Sequence, residues 1–266
     1  MSVEPIGVTP VSAMPGDSLF LMNQYLYPAH SPRTDIRALE AWAVEPGDTA
    51  ITVGVIDTGI IPYTPDLGGS VAGEELANPR FHPFWKKCEE LDVLVFLHPT
   101  GTRELEASGR LAGSGLLSNT IGNPLETTIA LSHLIFEGTL DRFPGLKICA
   151  AHGGGYLGSY ANRSDAVIRT FPNRVGPLPK KKPTQYLKDG QLFFDTIVFT
   201  PEALRHLIAE SGVGQIMIGT DAPIPWNEHP VDHIMGTATL SDKQKIAILG
   251  GNAAKLLGWK VPKKAR

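Results

Sequence analysis

Three apolar segments of the chain end in ionisable side chains that could together perform metal or acid–base chemistry. The segments are VLVFLHP with His98, KICAAHGGG with His152, and QIMIGTDAP with Asp221. In each segment, proline or glycine follows the ionisable residue directly or one position later. Imidazole and carboxylate are ligands for divalent ions, and an imidazole also titrates in the range useful for proton transfer. The three segments therefore indicate a metal or acid–base site.

The elements that must position these side chains are predicted to be strands of a parallel sheet. Continuous runs rich in Val and Ile are typical of strands that are buried on both faces, as in parallel sheets. Such runs alternate with helical patterns, which favours an α/β fold built from βαβ units. The predicted strands are 51–56, 93–97, 147–151, 192–199 and 215–219. Because parallel strands place active sites at their carboxyl ends, we expect the three ionisable side chains to meet there.

The number of predicted strands is too small for a complete barrel. An eight-stranded β/α barrel needs eight strands and usually about 250 residues of regular alternation. Only the part from residue 79 onward alternates regularly, and a Gly-rich junction lies at 68–79. We therefore predict two parts: a separate N-terminal segment, 1–78, and an incomplete (β/α) TIM-type barrel domain, 79–266.

Composition excludes several classes of partner. The chain has 266 residues, 42% of them hydrophobic and 19% charged, with a formal net charge of -3. This charge argues against a general nucleic-acid surface, and no apolar run is long enough to span a bilayer. The first residues carry neither a cationic nor an apolar signal region, so we expect a cytoplasmic protein. The two cysteines, Cys88 and Cys149, form no disulfide framework, and Cys149 is expected to be a small core residue.

The region from about Pro79 to Trp259 also carries several motifs in a recognisable order. They are FLHP, GNPLETT, LDRFPGLKICAAHGGG, FDTIVFTPEALRHL, IGTDAP and GGNAAKLLG. On these motifs the region resembles the amidohydrolase-related family that includes aminocarboxymuconate-semialdehyde decarboxylase and resorcylate-type decarboxylases. The resemblance implies a β/α barrel with one divalent metal ion, with zinc expected first and manganese as an alternative. It implies that His98 and Asp221 are metal ligands and that His152 is a general acid/base or a weak ligand.

The same resemblance implies the reaction and the substrate class. We expect decarboxylation of an aromatic or unsaturated small-molecule carboxylate, with hydrolysis of a related bond as the second choice. A metal ion with an open position acts as a Lewis acid and lowers the pKa of bound water, and a nearby histidine can move the proton. No nucleic acid or membrane partner is expected.

The chain departs from the family pattern in its N-terminal part. The family begins with an H-x-H on its first strand, but no H-x-H occurs in this chain, in which His30 and His82 stand alone. The alternative hypothesis is therefore a catalytically impaired chimera, or a truncated barrel that lacks two metal ligands. Because open sheet edges invite association, we expect a homo-oligomer.

The N-terminal segment has a resemblance of its own. Residues 17–68 are similar to the start of a subtilisin-like protease domain, and Asp57 occupies the position of the catalytic aspartate. A serine protease also needs a histidine and a nucleophilic serine, and neither an H-G-T-H nor a G-T-S-M-A segment is present. We expect no protease activity. Asp57 is also not expected to replace a lost metal ligand, because ligation demands accurate placement.

Several further residues are candidates for contact with the substrate. Arg103 follows His98 closely and is expected to bind an anionic group. Trp226 and Asn227, with His229, lie in the loop after Asp221 and are expected to line the mouth of a pocket.

The remaining polar candidates are expected to serve the structure. The run Lys180–Lys182 and Arg174 are interpreted as solvated surface, although they could attract a carboxylate. Asp195 could make a structural hydrogen bond or contribute to the site. Asn252 is expected to cap the last helix.

Overall fold

The computed structural model describes residues 73–221, 224 and 229–259, together with the backbone of 53–56 and 70–71. Asp57 and most of the subtilisin-like segment lie outside the described residues. Trp226 and Asn227 also lie outside them. The strands are β1 Val53–Ile56, β2 Ser70–Val71, β3 Glu74–Glu75, β4 Leu94–Leu97, β5 Lys147–Ala150, β6 Leu192–Asp195 and β7 Ile216–Met217.

Ten α-helices lie within the described residues. They are α1 His82–Glu90, α2 Arg103–Ala107, α3 Asn123–Phe136, α4 Thr139–Arg142, α5 Leu157–Thr170, α6 Pro183–Tyr186, α7 Pro201–Ser211, α8 Pro230–Met235, α9 Asp242–Ile246 and α10 Asn252–Leu256. Four of them, α1, α3, α5 and α7, are the longer helices that the sequence pattern predicts in the connections between strands. Helix α7 begins with a cap, because the Thr200 side chain accepts a hydrogen bond from the Ala203 N–H and Pro201 occupies the first turn.

Five of the strands form one parallel sheet, in the order β1-β4-β5-β6-β7. Every neighbouring pair is parallel, as between Leu94 and Lys147 or between Phe194 and Ile216. Apart from the small antiparallel pair β2–β3, strands that follow each other in sequence are neighbours in the sheet. The prediction of an α/β fold with a parallel sheet is therefore confirmed, and the carboxyl ends of all five strands lie at one edge.

Two strands end earlier than the apolar runs predict. The run 192–199 leaves the sheet at Asp195, whose carboxylate Oδ1 accepts the Ile197 N–H at 3.0 Å. Strand β7 covers only Ile216–Met217, and the Ile218 N–H donates instead to the carbonyl of Ile248. A local hydrogen bond to a side chain at one end, and a long-range bond to the Ile248 carbonyl at the other, thus replace sheet pairing.

The sheet separates two hydrophobic clusters. On one face, Val95, Leu97, Ile148 and their neighbours pack against the helices in the main core. A smaller cluster contains Leu94, Cys149, Phe193 and Met217, against which Ala253, Leu256 and Leu257 pack. Because side chains alternate along a strand, Leu94 and Phe96 share one face, and His98 continues that alternation. The second face is therefore the one from which the site is built.

Among the described helices, we find none with the length and apolar character needed to cross a membrane.

Candidate metal centre

The structure brings the three ionisable strand ends together. His98, His152 and Asp221 each offer one ligand atom, and these atoms all lie within 4.8 Å of one another. The Nε2 atom of His152 lies 3.7 Å from Oδ1 of Asp221, and the ring centroids of His98 and His152 are 5.1 Å apart. The side chains of His152 and Asp221 are largely shielded, at 13% and 15% exposure. They can therefore act together on one small ligand or ion.

Unusual backbone conformations place two of these residues. His152 and Asp221 have φ angles of 55° and 59°, in the left-handed region that residues other than glycine rarely adopt. Simple alternation along β5 would put Ala151, not His152, on the face of Cys149. The left-handed turn at His152 is thus what redirects the chain so that the imidazole reaches the other two ligands. Strained residues of this kind concentrate at functional sites.

The glycines after His152 are needed because the turn packs against its neighbours. A Cβ on Gly153 would approach Val198 Cγ1 to 2.5 Å, and a Cβ on Gly154 would approach Phe194 Cε1 to 2.6 Å. Both glycines also have positive φ angles, of 61° and 75°. The HGGG sequence is therefore a requirement of close packing and of backbone conformation at the site.

A buried carboxylate holds each of the two histidine turns. Asp195 accepts hydrogen bonds from the N–H groups of His152 and Gly153 at 2.9 and 2.8 Å. Glu126, from the first turn of α3, accepts the N–H of Thr100 at 2.6 Å and also the N–H of Gly101. Both carboxylates are buried, at 6% and 7% exposure. The loop after His98 and the loop after Ala151 are thus anchored in the same way.

The electrostatics of the site combine burial and charge. Burial lowers the pKa of His152, but the nearby Asp221 carboxylate and the charges of Asp195 and Asp221 oppose it, and the net pKa is raised. Burial raises the pKa of Asp195, while the charge of His152 and three backbone N–H groups act in the opposite direction. The imidazole and the carboxylates therefore favour each other's charged forms.

The donor set fits a divalent metal ion. Ligand atoms that share one ion at about 2.1 Å lie roughly 3–4 Å apart, which the 3.7 Å separation of His152 and Asp221 matches. The Nδ1 atom of His152 is buried and has no hydrogen-bond partner among the described residues. Two imidazoles and one carboxylate are a common set of protein ligands for catalytic zinc. His98 and Asp221 would hold the ion, and His152 would stand beside it as a general acid/base or a weak third ligand.

A cavity of about 460 Å³ lies beside these ligands. Its lining consists of Asn119, Thr120, Asn123, Pro124, His152, Gly155, Tyr156, Ile197, Val198, Phe199 and Ala203. His152 is the member of the ligand cluster that also lines the cavity. The described lining is otherwise uncharged, with amide and hydroxyl groups beside aromatic and aliphatic surface. The volume and the lining suit a small aromatic molecule.

Of the other predicted substrate contacts, Arg103 and His229 lie within the described residues, and neither lines the cavity. Arg103 begins α2 and is exposed, and the described lining of the cavity does not include it. His229 is exposed beside Asp232, with Nδ1 3.8 Å from the carboxylate. The roles of Arg103, Trp226 and Asn227 in substrate binding stay predictions. The sequence does not predict that Asn119, Tyr156 and Phe199 line this cavity, because no spacing pattern marks residues that line a cavity from separate segments.

The structure also gives roles to the remaining polar candidates. Lys181 forms an ion pair with Asp189, with Nζ 2.6 Å from Oδ2. Asn252 does not cap its helix as predicted. Its Nδ2 donates instead to the carbonyls of Val213 and Ile216 at 2.7 Å, which fastens α10 to β7. His82 is a packing residue, because its ring contacts Phe143 edge to face.

A parallel α/β sheet with a two-histidine, one-aspartate cluster at the carboxyl ends of its strands is the architecture of a metal-dependent hydrolase or lyase. The family model described as Amidohydrolase matches residues 25–259. This chain belongs to the amidohydrolase family. The match begins within the segment predicted to be separate, so the boundary near residue 79 and the subtilisin-like origin of 17–68 stay predictions.

Curated relatives point to one class of reaction. 2-Amino-3-carboxymuconate-6-semialdehyde decarboxylase of Dictyostelium discoideum is 33% identical over 193 residues, which cover 72% of this chain and 52% of that protein. Gamma-resorcylate decarboxylase of Polaromonas sp. is 29% identical over 180 residues, which cover 66% of this chain and 54% of that protein. The chain spans about half the length of the curated relatives it matches.

Solved structures agree with this likeness. The 5-carboxyvanillate decarboxylase of Sphingomonas paucimobilis has a TM-score of 0.66 and 26% identity, over 86% of this chain and 64% of that chain. A dihydroxybenzoic acid decarboxylase of Polaromonas sp., with bound manganese and the inhibitor 2-nitroresorcinol, has a TM-score of 0.61 and 26% identity. That match covers 70% of this chain and 55% of the other. The similar proteins are thus decarboxylases of small carboxylates.

Proposed function

We propose that this chain binds one divalent metal ion through His98 and Asp221, with His152 beside the ion as the general acid, and decarboxylates an aromatic carboxylate. The observation that carries the proposal is the convergence of these three ligand atoms within 4.8 Å, next to a cavity of about 460 Å³. The decarboxylase activities of the similar proteins support the choice of reaction. Zinc and manganese both suit the donor set, and manganese is present in one of the similar structures.

In the proposed reaction, the substrate ring occupies the cavity and its carboxylate faces the ligand cluster. The faces of Tyr156 and Phe199 supply apolar contact, and the amides of Asn119 and Asn123 supply hydrogen bonds to ring substituents. A bound divalent ion would supply Lewis-acid polarisation and orientation of the substrate carboxylate.

His152 is proposed as the general acid, since it borders both the ligand cluster and the cavity. The imidazolium gives its proton to the ring carbon that bears the carboxylate. The bond from this carbon to the carboxylate then breaks, its electron pair returns to the ring, and carbon dioxide leaves. The ring carbon therefore exchanges a carboxylate for a proton, and His152 is left neutral until it takes up a proton from solvent. Asp221, 3.7 Å from Nε2, favours the protonated imidazole before the transfer.

The experiment combines metal analysis with turnover. Purified protein loaded with Mn²⁺ or Zn²⁺ is assayed for bound metal and for loss of 2,6-dihydroxybenzoate and 5-carboxyvanillate by absorbance. We expect one ion per chain, and we expect His98→Ala and Asp221→Ala to lose it. We expect His152→Gln to lower kcat by roughly 10²–10⁴-fold, the usual contribution of a general acid.

The matched control is His206→Gln. This exposed histidine of α7 lies 3.1 Å from the Ser159 hydroxyl and belongs neither to the ligand cluster nor to the cavity lining. It should keep both the metal and the turnover. A folded chain that binds no divalent ion would refute the proposal. A chain that binds the ion without turnover would instead support the alternative of a catalytically impaired chimera.

A further inference from the structure

One buried ionisable residue near the site has no role in the proposed reaction. Asp195 ends β6 and is 6% exposed. It is neither among the ligand atoms nor in the lining of the cavity. A carboxylate buried to this degree needs several hydrogen bonds to remain favourable. The location of those bonds therefore shows what the side chain does.

Asp195 binds two different segments of backbone. Its Oδ1 accepts the Ile197 N–H at 3.0 Å, which closes the turn after its own strand. The two remaining bonds cross to the next strand end, where Oδ2 accepts the His152 N–H and Oδ1 accepts the Gly153 N–H. An ordinary turn cap needs only the first of these bonds. The bonds to His152 and Gly153 hold two residues with left-handed φ angles.

The same side chain also supports the strand end that carries Asp221. A Cβ on Gly219 would lie 2.8 Å from Cβ of Asp195 and 3.2 Å from its Cγ, so the β7 end lies directly against Asp195. The adjacent Thr196 accepts the Gly219 N–H through Oγ1 at 3.2 Å. Asp221 follows two residues later. Asp195 thus contacts the backbone near two of the three ligands.

We infer that Asp195 is a positioning residue that sets the separation of the His152 imidazole and the Asp221 carboxylate. The catalytic purpose of this geometry rests on the proposed function. The geometry itself rests only on the contacts of Asp195. Asp195 acts through the backbone of its neighbours and does not touch the substrate. Replacing a residue that orients metal ligands typically changes the metal affinity by about 10–100-fold.

The test uses Asp195→Asn, which keeps the shape of the side chain but turns an N–H donor towards one of the bound N–H groups. The matched control is Asp165→Asn, because Asp165 also accepts a backbone N–H and a hydroxyl, both from Thr184, at 3.1 and 2.7 Å. The first measurement is made on metal-free protein at a single pH. We expect Asp195→Asn to shift the ring resonances of His152 in the NMR spectrum, assigned with His152→Gln. Asp165→Asn should leave them unchanged.

The second measurement is titration with Co²⁺, followed by the visible spectrum of the bound ion. We expect Asp195→Asn to raise the Kd by about 10–100-fold and to alter the spectrum, and Asp165→Asn to change neither. Gly219→Ala is the second variant if Asp195→Asn does not fold. It keeps the charge of Asp195 but pushes the side chain away, so we expect a weaker complex and a shifted His152 resonance.

The possible results separate the two proposals. A folded Asp195→Asn or Gly219→Ala protein with unchanged His152 resonances would overturn the positioning role. Unchanged Co²⁺ affinity and spectrum in either folded variant would overturn it too. If the unmodified chain binds no Co²⁺, the proposed function fails, and the metal-free NMR comparison still decides the role of Asp195.

Discussion

Gly155→Ala should destabilise the chain much more than an ordinary replacement of glycine. Gly155 has φ 64° and ψ −129°, a region that is accessible almost only to glycine. A Cβ at this position would overlap the carbonyl oxygen of Pro124 and would lie 2.7 Å from Oγ1 of Thr128. Both neighbours belong to α3, which lies in the main core. The methyl group therefore has no free space.

The cost follows from these two effects. The backbone conformation contributes about 1–3 kcal/mol, and the forced displacement of packed atoms about 1–3 kcal/mol more. The displacement also disturbs a short chain of hydrogen bonds, from the Tyr156 N–H to Thr128 Oγ1 at 2.8 Å and from this hydroxyl to the Pro124 carbonyl at 2.7 Å. Together these contributions give an expected loss of about 2–6 kcal/mol in the free energy of unfolding.

The matched control is Gly138→Ala, before α4. Gly138 also has a left-handed conformation, with φ 77° and ψ 19°, but a Cβ there would have nothing within 4 Å. Only the conformational cost of about 1–2 kcal/mol should remain. Urea unfolding of the metal-free proteins, followed by circular dichroism, measures both values. If the two variants lose equal stability, the close approach of Gly155 to α3 does not constrain the fold.

Two further predictions concern the buried polar groups around the site. Glu126→Ala leaves the N–H groups of Thr100 and Gly101 without their acceptor, so urea unfolding should show a loss of about 2–4 kcal/mol. Glu90→Ala removes an exposed ion pair with Lys87 and should cost much less in the same assay. A similar loss in both variants would contradict the anchoring role. Burial raises the pKa of Cys88 to about 11 and raises that of Cys149 as well, so both thiols should resist a disulfide reagent at pH 8 until denaturant is added. Mass spectrometry counts the modified thiols, and rapid labelling of the native protein would contradict the burial.

The fold class was predictable because it depends on a pattern that local sequence carries. Each strand of the parallel sheet is an apolar run between helical segments, and Leu94–Leu97 and Lys147–Ala150 lie within one residue of the predicted bounds. Strand ends were less predictable, because side chains decide them. The run at 192–199 reads as one strand, yet the carboxylate of Asp195 binds the backbone ahead and ends it. Composition cannot show such a bond.

Long-range contacts explain the error at Asn252. Its position before an apolar helical segment favours a cap, since Asn is a common capping residue. The structure places it beside the end of β7, where two carbonyls, of Val213 and Ile216, take both hydrogens of its amide. Those carbonyls are 39 and 36 residues away in the chain. Two hydrogen bonds to carbonyls that only the fold brings near outweigh the local preference of Asn for a capping position.

In the candidate site, too, the sequence predicts which residues take part, but it predicts their positions only in part. His98 continues the alternation of Leu94 and Phe96, so its direction follows from the strand. His152 does not follow from its strand, because alternation along β5 would leave it on the opposite face from Cys149. The imidazole reaches the cluster because the backbone turns through a left-handed conformation that Asp195 and three glycines make possible. The three members of the candidate cluster were therefore predictable from the strand ends. Their convergence depends on a buried carboxylate from a third strand, and this is why Asp195 is the residue whose replacement tests the geometry most directly.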